Sequence, residues 1–414
     1  MIRPKKEILI SQLLFFMFIG SIGSFGSFIN LHLEQVVGLT GSQIGFVAFL
    51  GLIVTVIMNP IWGYIADKSG KHVLLLKMAF LGTVAIGALY YGSRSFLLIV
   101  ISVIFFEGLR APIMPLLEFI STNYCAKYNY DFGRVRVIAS WGFLIVAMAT
   151  GFMVAGLEFE LFGRLVSFAG FISLEFATFG ILIIMSAIAF LLLFLLPNTS
   201  KKENEVTNYQ DPSFGKRDVK DLLTNRRFVF ILAFTMVGFV TVDTLFLYST
   251  MHLVTVLGAS ENIVSWIAFF AVVPELILLP FGTVLIMKFG FRNWYIFTVL
   301  TMILRLAICS FTTSPLIFAL SGGVHALMII MHVIGTISYI RKVVSPSVLG
   351  LALTVLASAS ALSRAVMSFI FGWIYEHINS FAVFRVATLI VLVALVMAIK
   401  SKNLKEVGAE IQAP

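Results

Sequence analysis

Glu107, Arg110 and Glu118 lie inside one long apolar run of this 414-residue chain, and Arg136 lies near the start of the next. Such groups together can grip a polar organic molecule, because the planar guanidinium fork donates two parallel hydrogen bonds to vicinal hydroxyls or to a carboxylate. At about 100° per residue, Glu107 and Glu118 fall about 20° apart on one helical face, some three turns from each other. A charge near the centre of a bilayer costs about 2.5–3.5 kcal/mol. Several unpaired charges would oppose insertion, so these side chains are expected to turn inward, pair, and face a wet cavity. Glu118 with Arg136 reads as a clamp on substrate or as an ion pair tying two helices. Glu107 and Arg110 are three apart and can neutralise each other within one helix; alternatively Glu107 joins the cavity as a proton or cation site.

A second set of groups with chemistry lies downstream: Asp243, Glu275, Arg305, His325 and Arg364. Glu275 follows Pro274, where the helical backbone is partly opened. With Arg305 it could form a proton-gated pair, since a buried carboxylate beside a cation changes protonation when the partner moves. His325 and His332 share a helical face, but about 10 Å of rise is too much for both to ligate one metal ion. Asn30 and Asn59 either line the cavity or pack between helices. Arg385, near the outer end of its run, is expected to snorkel to the interface.

The elements that must position these residues are membrane-spanning. Hydrophobic residues make up 60% of the chain and charged ones 12%, against about 25% charged in soluble domains. Barrel strands would read as short alternating segments; the apolar runs here are long and unbroken. Twelve runs, each near the 20 residues a spanning helix needs, fall near 8–33, 43–66, 73–93, 96–124, 135–156, 170–197, 228–253, 261–287, 293–311, 314–338, 347–375 and 381–399. The first is too long for the apolar region of a signal peptide and has no small-residue cleavage site, so it is read as a retained span. The fold class predicted is an all-α integral membrane protein of twelve transmembrane helices. Its expected parts are a six-helix bundle over 1–197, a polar cytoplasmic linker over 198–227, a second six-helix bundle over 228–400 and a cytoplasmic tail over 401–414.

Charge placement gives orientation. With the N-terminus in the cytoplasm, nearly all of the 29 Lys and Arg residues fall at cytoplasmic ends and loops, from Arg3, Lys5 and Lys6 to Lys400, Lys402 and Lys405. The outer loops hold only Arg94 and Arg164. This is the positive-inside pattern, so the net charge of +9 speaks of anionic lipid heads and excludes nucleic acid as partner. Cys125 and Cys309 fall at opposite ends of their helices, which argues against a disulfide, and two cysteines cannot build a structural zinc site alone. No GxxxxGK[ST] loop occurs, no metal or cofactor is implied, and no Ser/His/Asp arrangement supports an enzyme. Gly20, Gly23 and Gly26, and Ala357 to Ser360, read as close helix packing; the Phe-rich faces read as lipid contact.

Pro60, Lys68 and Gly70 recur as Pro280, Lys288 and Gly290, each at an offset of 220 residues. Such repeated bundles are a transporter signature. The loop after the second run, Gly63-Tyr-Ile-Ala-Asp67-Lys68-Ser-Gly70-Lys71-His72, resembles the signature GxxxD(R/K)xG(R/K)(R/K) of the major facilitator superfamily, departing only at His72. Gly63 would allow close helix approach, Asp67 would cap or pair with a cation, Gly70 would permit the turn, and Lys68 and Lys71 would hold the inner side. The resemblance implies a gating latch that stabilises the outward-open state.

Within that superfamily, three segments resemble the lactose permease type of oligosaccharide–proton symporters and their nucleoside and phenylpropionate relatives. They are Pro115-Leu-Leu-Glu118-Phe, Tyr130-Asp131-Phe132-Gly133-Arg134-Val-Arg136 and Ser140-Trp-Gly142-Phe143. The likeness implies that Glu118 and Arg136 bind sugar hydroxyls and that Phe143, where the permease has Trp, stacks on the ring; Ser140, Asn30, Glu107 and Arg110 complete the substrate set. It extends to Asp243, Glu275, Arg305 and His325 and to Met367-Ser368 through Trp373-Ile-Tyr375-Glu376, implying a proton-coupling network. Spans 7 and 11 adjoin in the superfamily, so Asp243 is expected to pair with Arg364. The departures are Met328 for an acid, Gly322 for a Lys, Phe246 for an Asp and Ser360 for a Lys. Losing acids and cations together avoids stranded charges.

The expected protein is a monomeric secondary active transporter of the plasma membrane, both termini cytoplasmic, with the lipid bilayer, protons and a small-molecule substrate as partners. It would import a small polar solute, a sugar or oligosaccharide first, by proton symport and alternating access. The alternatives are a nucleoside or aromatic-acid symporter and a proton-driven drug exporter.

Overall fold

The computed structural model describes residues 5–161, 164–197, 216–345 and 348–412. Arg3, Lys201, Lys202 and residues 198–215 of the expected linker lie outside the described residues. Among the described residues, twelve helices are long and apolar enough to cross a membrane: Lys6–Gln35, Gly41–Ser69, His72–Tyr91, Phe96–Lys127, Phe132–Ala155, Phe176–Leu195, Arg226–Val256, Ile263–Phe289, Phe291–Phe311, Pro315–Val343, Leu349–His377 and Ser380–Lys400. They are called spans 1 to 12.

Their ends follow local chemistry. Span 2 opens with a capping box, in which Gln43 N–H donates to Thr40 Oγ1 at 3.4 Å and Thr40 N–H to Gln43 Oε1 at 3.0 Å, which satisfies two orphan donors. It closes at Gly70, whose φ of 63° is a left-handed conformation that glycine adopts without penalty. Span 5 is capped by the Asp131 carboxylate, which accepts from Gly133 N–H at 2.9 Å. Span 4 is interrupted at Ala111 and Pro112 before resuming at Ile113, because proline donates no hydrogen bond to the preceding turn.

Two compact units are resolved. The first takes in spans 1–6 together with Gly258–Ala268, the lead into span 8 and its first residues. Within this unit Ser265 Oγ donates to Met148 O at 2.8 Å, and Trp266 stands edge-on to Phe152. Spans 1 and 5 approach so closely that a Cβ on Gly23 would lie 2.6 Å from Phe143 O, and one on Gly142 2.7 Å from Phe16 O. That is the expected small-residue packing, but Gly26 does not share it: its nearest neighbour is Ile22 of its own helix, 3.5 Å away. The expectation that phenylalanines face lipid is corrected in part. Phe25, Phe106, Phe179 and Tyr90 pack ring to ring in the interior of unit 1, since aromatic pairs add about 0.5–1.5 kcal/mol beyond their area.

The second unit holds spans 7 and 9–12 and the remainder of span 8. Residues 402–412, expected only as tail, form a helix, Lys402–Gln412, with Leu404 and Val407 fully buried and Glu406 paired to Arg227 at 2.8 Å.

Two further features add detail to the all-α fold. A hairpin of β1 (Leu157–Leu161) and β2 (Arg164–Phe168) joins spans 5 and 6, antiparallel with Leu157 opposite Phe168. Several spans also carry wide π-helical turns: Phe176–Gly180, Met236–Val240, His252–Val256 and Ile330–Gly335. Such turns insert a residue into the helix, re-aim the side chains around it, and are frequent at functional sites.

Candidate functional site

In unit 1, span 4 presents Glu118 and span 5 presents Arg136, one turn past its Asp131 cap. Arg136 Nε lies 3.6 Å from Glu118 Oε1, and the two side chains are 42% and 45% exposed. The pair is therefore formed but not sealed by packing. Phe15 of span 1 lies below the guanidinium, ring centroid 5.7 Å from its carbon. Ser140 and Phe143, one and two turns further along span 5, are partly exposed.

Glu107 and Arg110 are arranged differently. Arg110 Nη1 donates to Glu107 Oε1 at 3.1 Å and to Oε2 at 3.4 Å, with the side chains 19% and 14% exposed for Glu107 and Arg110. The rings of Phe18, Phe25 and Phe106 surround the guanidinium at 5.7–5.8 Å, a distance at which each ring face attracts the cation. This is the neutralised intrahelical pair, far more enclosed than Glu118–Arg136. Asn30 of span 1 is buried.

In unit 2, Asp243 follows the π turn of span 7 and meets Arg364 of span 11, Nη1 to Oδ2 at 2.6 Å, each side chain 39% exposed. His325 begins an α-helical turn after the 3-10 segment Gly322–Val324 and feels both Arg305 and Asp243. His332 lies in the π turn of span 10, stands edge-on to Phe239 at 5.4 Å, and feels Asp243 and Arg364. Arg305 of span 9 donates to the thiol of Cys309, one turn along; that sulfur is 3.5 Å from Ser321 Oγ of span 10. His325 thus lies within electrostatic range of Arg305 and Asp243, and His332 within range of the Asp243–Arg364 pair. Glu275 sits partly buried after Pro274 in span 8. Met328 is buried.

The signature loop keeps its turn but not its expected packing. A Cβ on Gly63 would meet nothing within 4 Å, so the expectation of close helix approach there is corrected. Lys68 Nζ lies 5.6 Å from the Tyr64 ring centroid. Lys71 and Asp67 are exposed, and Asp67 acts on His72 electrostatically. His72 explains its own departure from the signature: it is buried and stacked on Phe119 of span 4, centroids 4.2 Å apart. A flat ring fits there, where a long cation would not.

Sequence reasoning missed an Arg94–Glu175 pair at 2.5 Å and the buried His32, which feels both charges and whose ring nitrogens have no hydrogen-bond partner among the described residues. It also missed His252, buried among Phe318, Phe381 and Phe384 and 2.9 Å from Ser380 Oγ through Nδ1. A signal was present: His32-Leu33 and His252-Leu253 share the 220-residue offset, as do Gly38 and Gly258, both at positive φ. Among the described residues no cluster of His, Cys, Asp or Glu could hold a metal ion.

Residues 8–400 match the MFS_1 like family. The chain is 25% identical over 378 residues to the uncharacterized transporter YwbF of Bacillus subtilis (strain 168), covering 89% of this chain and 86% of that one. Its fold is similar to the crystal structure of the nucleoside transporter NupG, with a TM-score of 0.78, 16% identity, and 96% of this chain and 100% of that one covered. It is also similar to that of a D-xylose–proton symporter, with a TM-score of 0.66, 17% identity, and 95% and 96% covered. Twelve spans in two units, with the signature loop after span 2 and charged residues inside the spans of both units, make this chain a multi-pass membrane transporter, not an enzyme, and a member of the MFS_1 like family within the major facilitator superfamily.

Proposed function

We propose that the protein imports a small polar organic solute, a sugar or oligosaccharide first, by proton symport and alternating access across the plasma membrane. The carrying observation is the half-exposed Glu118–Arg136 pair. A formed ion pair left open to solvent in an otherwise apolar span can exchange its mutual hydrogen bonds for bonds to solute hydroxyls, whereas a purely structural pair gains from being packed over. Phe143 supplies an apolar ring nearby, and Ser140 a further hydroxyl. The D-xylose–proton symporter supports both the sugar and the proton.

Proton movement is assigned to unit 2. Glu275, beside the proline-opened turn, is the leading carrier, with Arg305 as the cation that sets its protonation. His325 and the Asp243–Arg364 pair couple protonation to movement of spans 7, 10 and 11. The signature loop, Gly63, Asp67, Lys68, Gly70 and Lys71, acts as the gating latch. The Lys/Arg distribution supports a cytoplasmic position for both termini.

The test is uptake of a labelled sugar and nucleoside panel into cells and proteoliposomes, with and without a protonophore. Protonophore-sensitive accumulation of a sugar is the expected result. Accumulation of nucleosides instead favours the second reading, supported by the NupG fold. No accumulation together with extrusion of dyes would replace import by export.

A further inference from the structure

Span 4 is broken between Arg110 and Ile113, and the break separates the shut pair Glu107–Arg110 from Glu118 of the open pair. The two halves lean on different helices. Before the break, span 4 runs along span 2: a Cβ on Gly51 would lie 3.2 Å from Glu107 Cγ, and one on Gly108 3.7 Å from Val54 Cγ1. After it, Ile113, Leu117 and Ile120 join the core of unit 1 with Leu14 and Phe15 of span 1 and Leu76 of span 3. Pro112 has no N–H, so the carbonyl of the buried Gly108, four residues back, receives no helical donor from it. A buried carbonyl left without a donor is costly. Span 2 supplies one: Trp62 Nε1–H donates to Gly108 O at 2.8 Å. Trp62 is the residue before Gly63, where the signature loop begins.

Unit 2 repeats the plan by other means. At the 220-residue offset, Trp62 falls on Gly282 and the break at Ala111–Pro112 falls on Met331–His332, inside the wide turn Ile330–Gly335 of span 10. A Cβ on Gly282 would lie 2.5 Å from Ile334 Cδ1 and 3.0 Å from Ile330 Cγ2. In each unit the same position, on span 2 or on span 8, holds the irregular point of span 4 or span 10.

We propose that Trp62 is a positioning residue: its indole N–H fixes the break in span 4 and thereby sets where Glu118 stands relative to Arg136. The proposal rests on the reading of Glu118–Arg136 as the solute clamp. A helix interrupted at a proline can bend there, and Trp62 holds the last turn before the bend. Glu118 rides on the half beyond it. A shift of the signature-loop end of span 2 therefore reaches the bend through one hydrogen bond.

The first test reads the break without a solute. Spin labels at Leu98→Cys and Ala126→Cys, both exposed positions of span 4, report its two ends, with Cys125 and Cys309 replaced by serine. An uninterrupted helix would put them about 42 Å apart. Trp62→Phe keeps a ring and removes the donor; it should broaden the distance distribution at least twofold. Pro112→Ala gives Gly108 a helical donor and should move the maximum towards the uninterrupted value. In equilibrium exchange of the labelled sugar and nucleoside panel, Trp62→Phe should raise KM at least fivefold with the maximal rate within twofold. Trp62→Phe with Pro112→Ala should regain thermal stability but not KM, because the carbonyl is satisfied while the break is lost. A distribution untouched by Trp62→Phe, or a KM restored together with stability in the double variant, would overturn the proposal and leave transport standing. A broadened distribution with KM unchanged would overturn the link to Glu118–Arg136. Where Trp62→Phe fails to assemble, Pro112→Ala decides alone, and an unchanged distance or an unchanged KM overturns the proposal. Distances as expected, with no panel solute exchanged by the unaltered protein, would uphold the hold of Trp62 on the break and overturn the import reading itself.

Discussion

Arg136 in unit 1 and Arg305 in unit 2 carry the same group in different company. Unit 1 gives each of its described intramembrane guanidinium groups a carboxylate: Arg110 has Glu107 and Arg136 has Glu118. Unit 2 gives one to Arg364, while Arg305, beside the thiol of Cys309, is the cation assigned to Glu275. A balanced pair that stays half-exposed suits neutral polar groups, because either partner can lend hydrogen bonds without a net charge appearing. A guanidinium beside a carboxylate that can be protonated suits proton coupling. The difference teaches that exposure and charge balance, more than the presence of charge, separate the tasks of the two units. Glu107–Arg110 makes the same point inside unit 1, since enclosure by three phenyl rings marks it as the pair that stays shut.

The largest expected effect strikes the open pair. Arg136→Lys keeps the charge but loses the two-pronged donor. With each charge-assisted hydrogen bond contributing about 1.5–3 kcal/mol, uptake should fall about a hundredfold at unchanged membrane expression. Near-normal uptake by that variant would make Glu118–Arg136 structural and remove the contrast with Glu107–Arg110. The next effect separates the roles in unit 2. Glu275→Gln should abolish pH-driven accumulation while exchange persists, as measured in vesicles with an imposed proton gradient. Accumulation that continues would move the proton to the Asp243–His325 cluster.

Asp243 and Arg364 test pairing through stability. Breaking a fully buried pair costs about 3–5 kcal/mol; with both side chains 39% exposed, about 1–3 kcal/mol is expected for Asp243→Asn. The double variant Asp243→Asn with Arg364→Gln should recover at least half of the lost thermal stability in detergent. Equal instability of single and double variants would say that the two groups act separately.

The parts that the sequence made legible are those governed by hydropathy and by the cost of charge. Twelve spans follow from run length, the Glu118–Arg136 contact follows because an unpaired charge in a span is too costly, and the Asp243–Arg364 contact follows from the resemblance to a superfamily in which spans 7 and 11 adjoin. The illegible parts depend on tertiary context. Glu158 and Glu160 alternate with Leu157, Phe159 and Leu161, a strand pattern, yet the stretch is too short to stand out between apolar runs. The π turns leave no periodic trace, although Gly180, Gly238 and Gly335 each lie in one. His72 reads in the sequence only as a departure from the signature because nothing local announces that Phe119 lies 4.2 Å from it. Gly63 looked like a contact because its motif has one, and its surroundings here are open.

The smallest expected effects lie at repeat-related glycines, where the two units should behave alike. Gly38 and Gly258 have φ of 79° and 67°, and a Cβ at either would meet open space. Alanine there meets no neighbour, so its cost is the left-handed backbone alone, about 1 kcal/mol. Asparagine, which enters that region more readily, should cost less. Thermal unfolding of Gly38→Ala and Gly258→Ala should therefore show the same small loss, with asparagine restoring part of it in both. The comparison matters because these turns share the 220-residue offset that relates His32 to His252 and Gly70 to Gly290. Equal losses would place the difference between the units in their charged side chains, upon a common backbone plan. A loss at one site and none at the other would mean that the repeat had diverged in its backbone as well, and the contrast between Arg136 and Arg305 would then need a structural explanation.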